Sequence, residues 1–317
     1  MPLADVSRVD TVALVGCGTI GASWAAWFLA RGFHVRGWDP SPSASATVRR
    51  IVEEAWPSLI ALGVATEPRE EALSRVTLST ELEEAVQGAG FVQESAPEKA
   101  EVKLPLLERL DGALPADRVI ASSTSGFTPS RLQSVMAHPG RLVVGHPFNP
   151  PHLIPLVEVV GGERTDPAAV AWAIDFYRRV GKRPIHVRKE VPGHVSNRLQ
   201  VALWREAVHL VAEGVASVGD VDAAISDGPG LRWAIMGPHL TFHLGGGEGG
   251  MAHFLDHLGG PIESWWDTLG HTPLTPEVRA ALVDGVEEAK GGRDDAALRR
   301  TRDERLVEML RLLHPER

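Results

Sequence analysis

The chain has 317 residues, of which 44% are hydrophobic and 23% charged, as in an average globular protein. Its net charge of −9 argues against a nucleic-acid partner, and its one cysteine, Cys17, excludes an intrachain disulfide and a cysteine zinc cluster. Neither a signal peptide nor an apolar run of about 18 residues is evident, so we expect a cytoplasmic protein with no membrane partner.

Short apolar runs rich in β-branched residues alternate with helical patterns from Thr11 to about Arg188. This alternation is typical of βαβ units. We therefore predict an α/β fold that begins with a Rossmann-type, doubly wound, mainly parallel sheet. The predicted strands are residues 11–15, 34–38, 76–78, 91–94, 119–122, 142–145, 157–160 and 185–188. The predicted helices between them are residues 20–31, 43–62, 81–86, 99–111 and 167–180.

After Arg188 the strand pattern ends, and the rest of the chain has a helical pattern with glycine-rich breaks. Pro192 and Gly193 interrupt the pattern at this point, so the domain boundary is predicted there. The sequence thus predicts a first domain of residues 1–190 and an all-helical domain of residues 191–317.

A glycine-rich loop, GCGTIG at residues 16–21, follows the first predicted strand and opens a helix. In this context Gly16 permits a tight turn, Gly18 lets the backbone approach a pyrophosphate, and Gly21 lets the helix pack on the strand. Asp39 ends the second strand, where a carboxylate binds ribose hydroxyls and repels a 2′-phosphate. We therefore predict that NAD is the cofactor. The predicted NAD-binding residues of this region are Gly16, Gly18, Thr19, Ile20, Gly21 and Asp39.

A histidine and a glutamate flank a proline-rich segment later in the same domain. His146 directly follows a predicted strand, and Glu158 lies inside the next apolar run, where a carboxylate is costly to bury unless it is paired. A chain that doubles back could bring Glu158 to one ring nitrogen of His146 and leave the other facing a substrate. That pair could remove a hydroxyl proton as hydride leaves the same carbon. On spacing alone, His152 could replace His146, and a structural role for His146 also stays open.

Five segments occur here in the order found in L-3-hydroxyacyl-CoA dehydrogenases, and the chain resembles that family over nearly its whole length. They are GCGTIG at 16–21, STS at 123–125, GHPFNP at 145–150, LVEVV at 156–160 and PGHVSNRL at 192–199. The resemblance implies a Rossmann domain followed by a helical domain that forms a homodimer interface. It also implies an active site in the cleft between the two domains.

The same resemblance implies roles for individual residues. His146 corresponds to the general base, and Glu158 corresponds to the carboxylate that orients it. Ser125 and Asn197 correspond to the groups that hydrogen-bond the reacting oxygen. Two further positions, which lie on the cofactor side of the family's site, correspond to Glu98 and Lys103.

Some segments depart from the common hydroxyacyl-CoA enzymes, which carry Asn where this chain has Ser123. The segment DGPGLRWAIMG at 227–237 is similar instead to the subgroup that oxidises L-carnitine, and more distantly to lambda-crystallin, a gulonate dehydrogenase. This implies NAD-dependent oxidation of L-carnitine to 3-dehydrocarnitine. L-gulonate, another L-3-hydroxy acid and a short-chain L-3-hydroxyacyl-CoA stay open as substrates. A crystallin-like, NAD-binding structural protein stays open as the alternative that is not an enzyme.

The charge pattern bears on this choice of substrate. Residues 39–98 contain no lysine and many glutamates, which disfavours binding of the phosphates of CoA. Carnitine instead carries a quaternary ammonium, which aromatic faces bind, and a carboxylate, which needs a cation. Among the tryptophans of the helical domain we predict that Trp233 contacts the ammonium. Candidates for the carboxylate are Arg198, Arg205 and Arg232, and Arg198 is included in the predicted site.

Two histidine pairs are spaced four residues apart in predicted helices, at residues 239 and 243 and at residues 253 and 257. This spacing places two imidazoles on one helix face. No metal-binding carboxylate motif accompanies either pair, so we predict no metal site.

Overall fold

The computed structural model describes residues 3–314, which form two compact units. The first unit comprises the described residues up to Asn197 together with those from Arg302 onward, and the second comprises Arg198–Thr301. No helix within the described residues is both long and apolar enough to cross a membrane.

The first unit is built on an eight-stranded sheet of order β3-β2-β1-β4-β5-β6-β7-β8. The order of the first six strands is that of doubly wound dinucleotide-binding sheets. All neighbours are parallel except β6 and β7, which are antiparallel. The predicted α/β fold with a mainly parallel Rossmann-type sheet is confirmed, and each predicted strand is present to within two residues at either end. The strands are β1 (Thr11–Val15), β2 (His34–Trp38), β3 (Val76–Ser79), β4 (Phe91–Glu94), β5 (Val119–Ser122), β6 (Leu142–Pro147), β7 (Leu156–Gly161) and β8 (Arg183–Val187).

Fourteen α-helices occur within the described residues, and the five that were predicted between strands are among them. The helices α3 and α6, of five and four residues, were not predicted. The helices of the first unit are α1 (Thr19–Ala30), α2 (Ala44–Ala61), α3 (Arg69–Leu73), α4 (Leu82–Val86), α5 (Ala100–Ala113), α6 (Pro129–Leu132) and α7 (Pro167–Arg179). They are followed by α8 (Ser196–Ala212), α9 (Val218–Ser226), α10 (Pro229–Ile235), α11 (Pro238–Gly245), α12 (Gly250–Trp266), α13 (Pro276–Lys290) and α14 (Asp295–Leu313).

The core of the first unit consists of two large apolar clusters. One contains the buried side chains of α1, α2 and α7, among them Trp24 and Trp27, and the other contains those of α4 and α5. Val307 and Leu310 of α14 belong to the first cluster. The sequence pattern predicted a helix here but could not indicate which unit its apolar residues would join. These residues explain why the last part of the described chain groups with the sheet.

The second unit is all helical and buries few large apolar side chains, of which Val208, Val218 and Phe254 are examples. Its ring packing includes a stacked pair of Phe242 and Phe254, whose centroids are 4.8 Å apart. Many other apolar side chains of its helices are exposed in the single chain. All the elements of this unit are helices, so the predicted all-helical character of the region is confirmed.

Candidate active site

The glycine-rich loop between β1 and α1 has the backbone that the sequence predicts. Gly16 has φ 95°, and its N–H donates to the carbonyl of Trp38 at 2.8 Å. A Cβ on Gly16 would lie 2.7 Å from the backbone of Ser95, and one on Gly21 would lie 1.9 Å from the carbonyl oxygen of Gly16. A Cβ on Gly18, in contrast, would meet no atom within 4 Å. Two of the glycines are thus required by the fold, while Gly18 faces open space where a phosphate can approach.

The surroundings of this loop also fit NAD. Gly18 is the N-cap of α1, and no side chain within the described residues caps that helix, so its first N–H groups remain for a pyrophosphate. Asp39 follows β2, and its two carboxylate oxygens accept the backbone N–H groups of Cys17 and Ser41, each at 2.8 Å. This places a fixed carboxylate beside the loop, as ribose binding requires. Burial, followed by the nearby charge of Asp39, raises the pKa of the Cys17 thiol to about 12, so this cysteine is not a nucleophile at neutral pH.

Glu98 and Lys103 form part of a network that holds the loop after β5. Oε1 of Glu98 accepts the Thr124 hydroxyl at 2.5 Å and the Ser125 N–H at 3.0 Å. Burial would raise the pKa of Glu98, but hydrogen bonds from this loop and the charge of Lys103 outweigh it and lower that pKa. Nζ of Lys103 is buried, 2.8 Å from Glu94 and 3.5 Å from Glu98. The Lys103 ammonium thus binds two carboxylates, and Glu98 fixes the backbone at Ser125.

His146 and Glu158 form a hydrogen-bonded pair across two strands. They lie directly opposite each other in the antiparallel ladder of β6 and β7. Nδ1 of His146 donates to Oε2 of Glu158 at 2.9 Å, and both side chains are buried. His146 lies inside β6 rather than just beyond it, because the strand continues to Pro147.

The second oxygen of Glu158 is bound by the chain that leads into α8. Oε1 accepts the backbone N–H groups of Val195 and Ser196, each at 2.9 Å. Burial alone would raise the pKa of Glu158, but the hydrogen bonds from His146, Ser196 and Val195 outweigh it and lower that pKa. Glu158 is therefore an ionised acceptor for Nδ1–H of His146. This leaves Nε2 of His146 as the ring nitrogen that can take up a proton.

His152, the other candidate for the base, has a different environment. Its Nδ1 lies 2.8 Å from the hydroxyl of Ser23, and its backbone N–H donates to the same oxygen at 3.0 Å. Burial, followed by the charges of Lys182 and Arg302, lowers the pKa of His152 to about 4. This histidine fastens its loop to α1 and has no carboxylate partner among the described residues.

The predicted oxygen-binding groups lie at the ends of two other segments. Ser125 lies in the loop after β5, and Asn197 is the second residue of α8. Within the described residues, neither the Ser125 hydroxyl nor the Asn197 amide makes a side-chain hydrogen bond, so both can serve a ligand. Arg198 and Trp233 belong to the second unit, where Arg198 is exposed and Trp233 is 36% exposed. Their contact with substrate stays a prediction.

Two polar residues of this region were not predicted from the sequence. Glu94 lies at the end of β4 and is buried against Lys103, a pairing that the buried strand end could have indicated. His194 is buried, with its ring centroid 5.2 Å from that of His146. Pro192 and Gly193 indicated a break in the pattern at this point but gave no signal for the ring that follows.

The chain matches known proteins over nearly its whole length. The family model for the 3-hydroxyacyl-CoA dehydrogenase NAD binding domain matches residues 11–191, and that for the C-terminal domain matches residues 193–275. An L-carnitine dehydrogenase of Streptomyces coelicolor is 56% identical over 309 residues, which cover 98% of this chain and 96% of that protein. One from Pseudomonas putida is 46% identical, covering 96% of this chain and 94% of its own.

A solved structure also resembles the whole chain. It is that of 5-formyl-3-hydroxy-2-methylpyridine 4-carboxylic acid 5-dehydrogenase, an NAD+-dependent dismutase, with a TM-score of 0.77 and 32% identity. The match covers 96% of this chain and 99% of that one. With the dinucleotide loop in place, these matches establish NAD as the cofactor and a small molecule as the substrate. The chain belongs to the 3-hydroxyacyl-CoA dehydrogenase family and is an NAD-dependent 3-hydroxy acid dehydrogenase.

Proposed function

We propose that the substrate is L-carnitine, which the enzyme oxidises at its secondary hydroxyl to 3-dehydrocarnitine. The observation that carries this proposal is the identity of 56% to an L-carnitine dehydrogenase over nearly the full length of both chains. A similarity that extends through the helical half includes the region from which substrate contacts are expected. The two other substrate classes, L-gulonate and short-chain L-3-hydroxyacyl-CoA, are the alternatives to be tested.

The charges after β2 support carnitine over a CoA thioester. Residues 39–98 contain eleven carboxylates, four arginines and no lysine. Each of the four arginines forms an ion pair with a glutamate of the same segment: Arg49 with Glu53 and Glu70, Arg50 with Glu54, Arg69 with Glu70, and Arg75 with Glu67. Exposed pairs are weak, but here they leave an excess of negative charge. Such a surface repels the phosphates of CoA and does not repel a cationic substrate.

We infer that His146 is the general base of the reaction. Its free Nε2 takes the hydroxyl proton of the substrate, and Glu158 stabilises the imidazolium that forms. Ser125 and Asn197 donate hydrogen bonds to the reacting oxygen and so favour the developing carbonyl. Bound NAD supplies the acceptor for the hydride that leaves the carbinol carbon. The buried, doubly anchored Glu158 supports this role, because its charge is fixed before the proton arrives.

The helical unit supplies the groups proposed for the two charged ends of carnitine. A quaternary ammonium cannot donate a hydrogen bond, so it binds to aromatic faces and diffuse negative charge. Trp233 is partly exposed in α10 and is the proposed face, next to Arg232. Arg198, at the start of α8, is the proposed partner of the carboxylate.

We propose that the second unit forms a homodimer interface with a second copy of the chain. Its exposed apolar side chains include Leu199 at 62%, Trp204 at 52% and Trp265 at 66% exposure. Single exposed apolar residues are common on monomers, but a helical unit that exposes most of its large apolar side chains needs a covering surface. A second copy fits because a symmetric dimer places the same face on both partners.

A substrate panel tests the proposed function. Purified enzyme with NAD is given L-carnitine, D-carnitine, L-gulonate or L-3-hydroxybutyryl-CoA, and NADH formation is measured. We expect kcat/KM for L-carnitine to exceed that for each of the others by at least about 100-fold, because a wrong substrate leaves polar groups of the site unpaired. NADH formation with another member of the panel, and none with L-carnitine, would refute the proposed substrate while leaving the dehydrogenase class intact.

A further inference from the structure

We propose that His194 is a positioning residue that joins the Ser125 loop to the His146–Glu158 pair. It does not accept the substrate proton. It fixes the turn whose backbone holds Glu158, and so it aligns the partner of the base. This inference rests on the proposed role of His146 and Glu158 in proton transfer.

The backbone of His194 is in an unusual conformation. Its φ is +50°, in the left-handed region that side chains with a Cβ rarely adopt, and it directly follows Gly193 with φ +78°. The next two N–H groups, those of Val195 and Ser196, converge on Oε1 of Glu158 at 2.9 Å each. Strain at a residue that is not glycine persists only when its surroundings hold it. The result of this strain is a pair of donors aimed at the buried carboxylate.

The side chain of His194 supplies one of the bonds that hold this turn. Nε2 of its ring lies 3.1 Å from the carbonyl oxygen of Thr124, to which it donates. The N–H of Gly193 donates to the carbonyl of Ser125 at 3.2 Å. Two consecutive residues of the turn are therefore bound to two consecutive carbonyls of the loop after β5. His194 thereby connects Ser125, which is proposed to bind the reacting oxygen, with Glu158, the hydrogen-bond partner of the proposed base.

The ring of His194 also has a defined protonation state. Because Nε2 carries the proton for Thr124, Nδ1 is the unprotonated nitrogen, and it is buried without a hydrogen-bond partner within the described residues. Burial lowers the pKa of His194, the Thr124 bond opposes this, and the nearby His146 lowers the pKa further. Glu158 and Glu98 are the carboxylates that act on it in the opposite direction. The ring therefore stays neutral and places no second positive charge beside His146 when that residue becomes an imidazolium.

Three substitutions separate the side chain of His194 from its backbone. The amide nitrogen of Gln reaches about as far from the backbone as Nε2 of His and can donate to the Thr124 carbonyl, so His194→Gln is the conservative variant. His194→Gly relieves the backbone but deletes the ring, and His194→Ala deletes the ring and keeps the strain. Steady-state kinetics with L-carnitine, NADH binding and thermal unfolding are measured for each variant. We expect His194→Gly and His194→Ala to lower kcat roughly 10- to 100-fold, the usual result of a small misalignment, and to leave KM for NAD unchanged.

The pattern across the three variants decides the question. Partial recovery of kcat in His194→Gln relative to His194→Ala, with NADH binding unchanged in both, supports the inference. A kcat of His194→Gly equal to that of the wild type would overturn it, because the backbone alone would then suffice. Equal loss in all three variants, together with loss of NADH binding and a lower unfolding temperature, would also overturn it, since the role would be purely structural. His146→Gln tests the base separately: if it retains full turnover, the proposed mechanism fails whatever His194 does.

Discussion

The buried carboxylate of Glu158 is costly to place in the first unit, and its surroundings show how that cost is offset. A charge taken from water loses several kcal/mol of solvation unless hydrogen bonds replace the water. Here His146, Val195 and Ser196 supply those bonds from one strand and one turn. A buried ion pair is by itself weak evidence for stability, so the proton-transfer role proposed for His146 and Glu158 needs a direct test.

Replacement of His146 tests this assignment directly. His146→Gln removes the imidazole, and the carboxylate of Glu158 keeps its hydrogen bonds from Val195 and Ser196. We expect kcat to fall about 10²- to 10⁴-fold, the usual contribution of a general base, with NADH affinity unchanged. His186→Gln, at an exposed histidine of β8, is the matched control and should keep wild-type kcat. Turnover of His146→Gln within the wild-type range would contradict the proposed base.

At the level of single residues, the sequence was most informative where one motif contains both side chains of a hydrogen-bonded pair. His146 and Glu158 could be recognised as possible partners because both lie in one segment that could double back. The bond from His194 to the Thr124 carbonyl could not, because it joins a side chain to a backbone atom 70 positions away. Every residue type has a backbone carbonyl, so the spacing of residues in the sequence does not indicate which carbonyl a side chain will bind.

The glycine loop shows how one element serves both folding and cofactor binding, and its two later glycines separate these roles. Gly21→Val places side-chain atoms against the Gly16 carbonyl, so we expect the free energy of unfolding of the NAD-free protein to fall by roughly 1–3 kcal/mol. Gly18→Val meets open space, so we expect unchanged stability and weakened NADH binding. Thermal unfolding without cofactor and NADH fluorescence titration measure the two effects. Equal destabilisation by both variants would contradict this separation.

The antiparallel strand β7 is the element that brings the base and its carboxylate together. The connection between β6 and β7 covers residues 148–155, which is shorter than the dozen or more residues that a parallel crossover needs. The sequence thus indicated a chain that doubles back, and the sheet was predicted as mainly rather than wholly parallel. The register that sets His146 against Glu158 could not be predicted, because a shift of one residue fits the same apolar run.

At the scale of the whole molecule, length and the loss of strand pattern after Arg188 indicated two domains, and contacts divide the described chain at Asn197. The sequence did not indicate that α14 residues would join the sheet-bearing unit. The apolar residues of a helix show that one face packs, but they do not identify the unit that covers this face. Within one chain the second unit buries few of its large apolar side chains, and this exposure is the reason for the proposed homodimer.

The homodimer proposed from this observation can be tested on α12. Leu255, Leu258, Ile262 and Trp265 recur at helical spacing on one stripe of that helix, and three of them are clearly exposed. We expect light scattering coupled to size exclusion to give twice the mass of one chain. The double variant Leu258→Glu/Trp265→Glu should give the mass of one chain, because each buried apolar side chain at such a seam contributes roughly 1.5–3 kcal/mol. Ile60→Glu, at an apolar residue of α2 that is 55% exposed, is the matched control and should remain a dimer. A wild-type mass of one chain at micromolar concentration would rule out this interface, because the apolar stripe would then be stable in water.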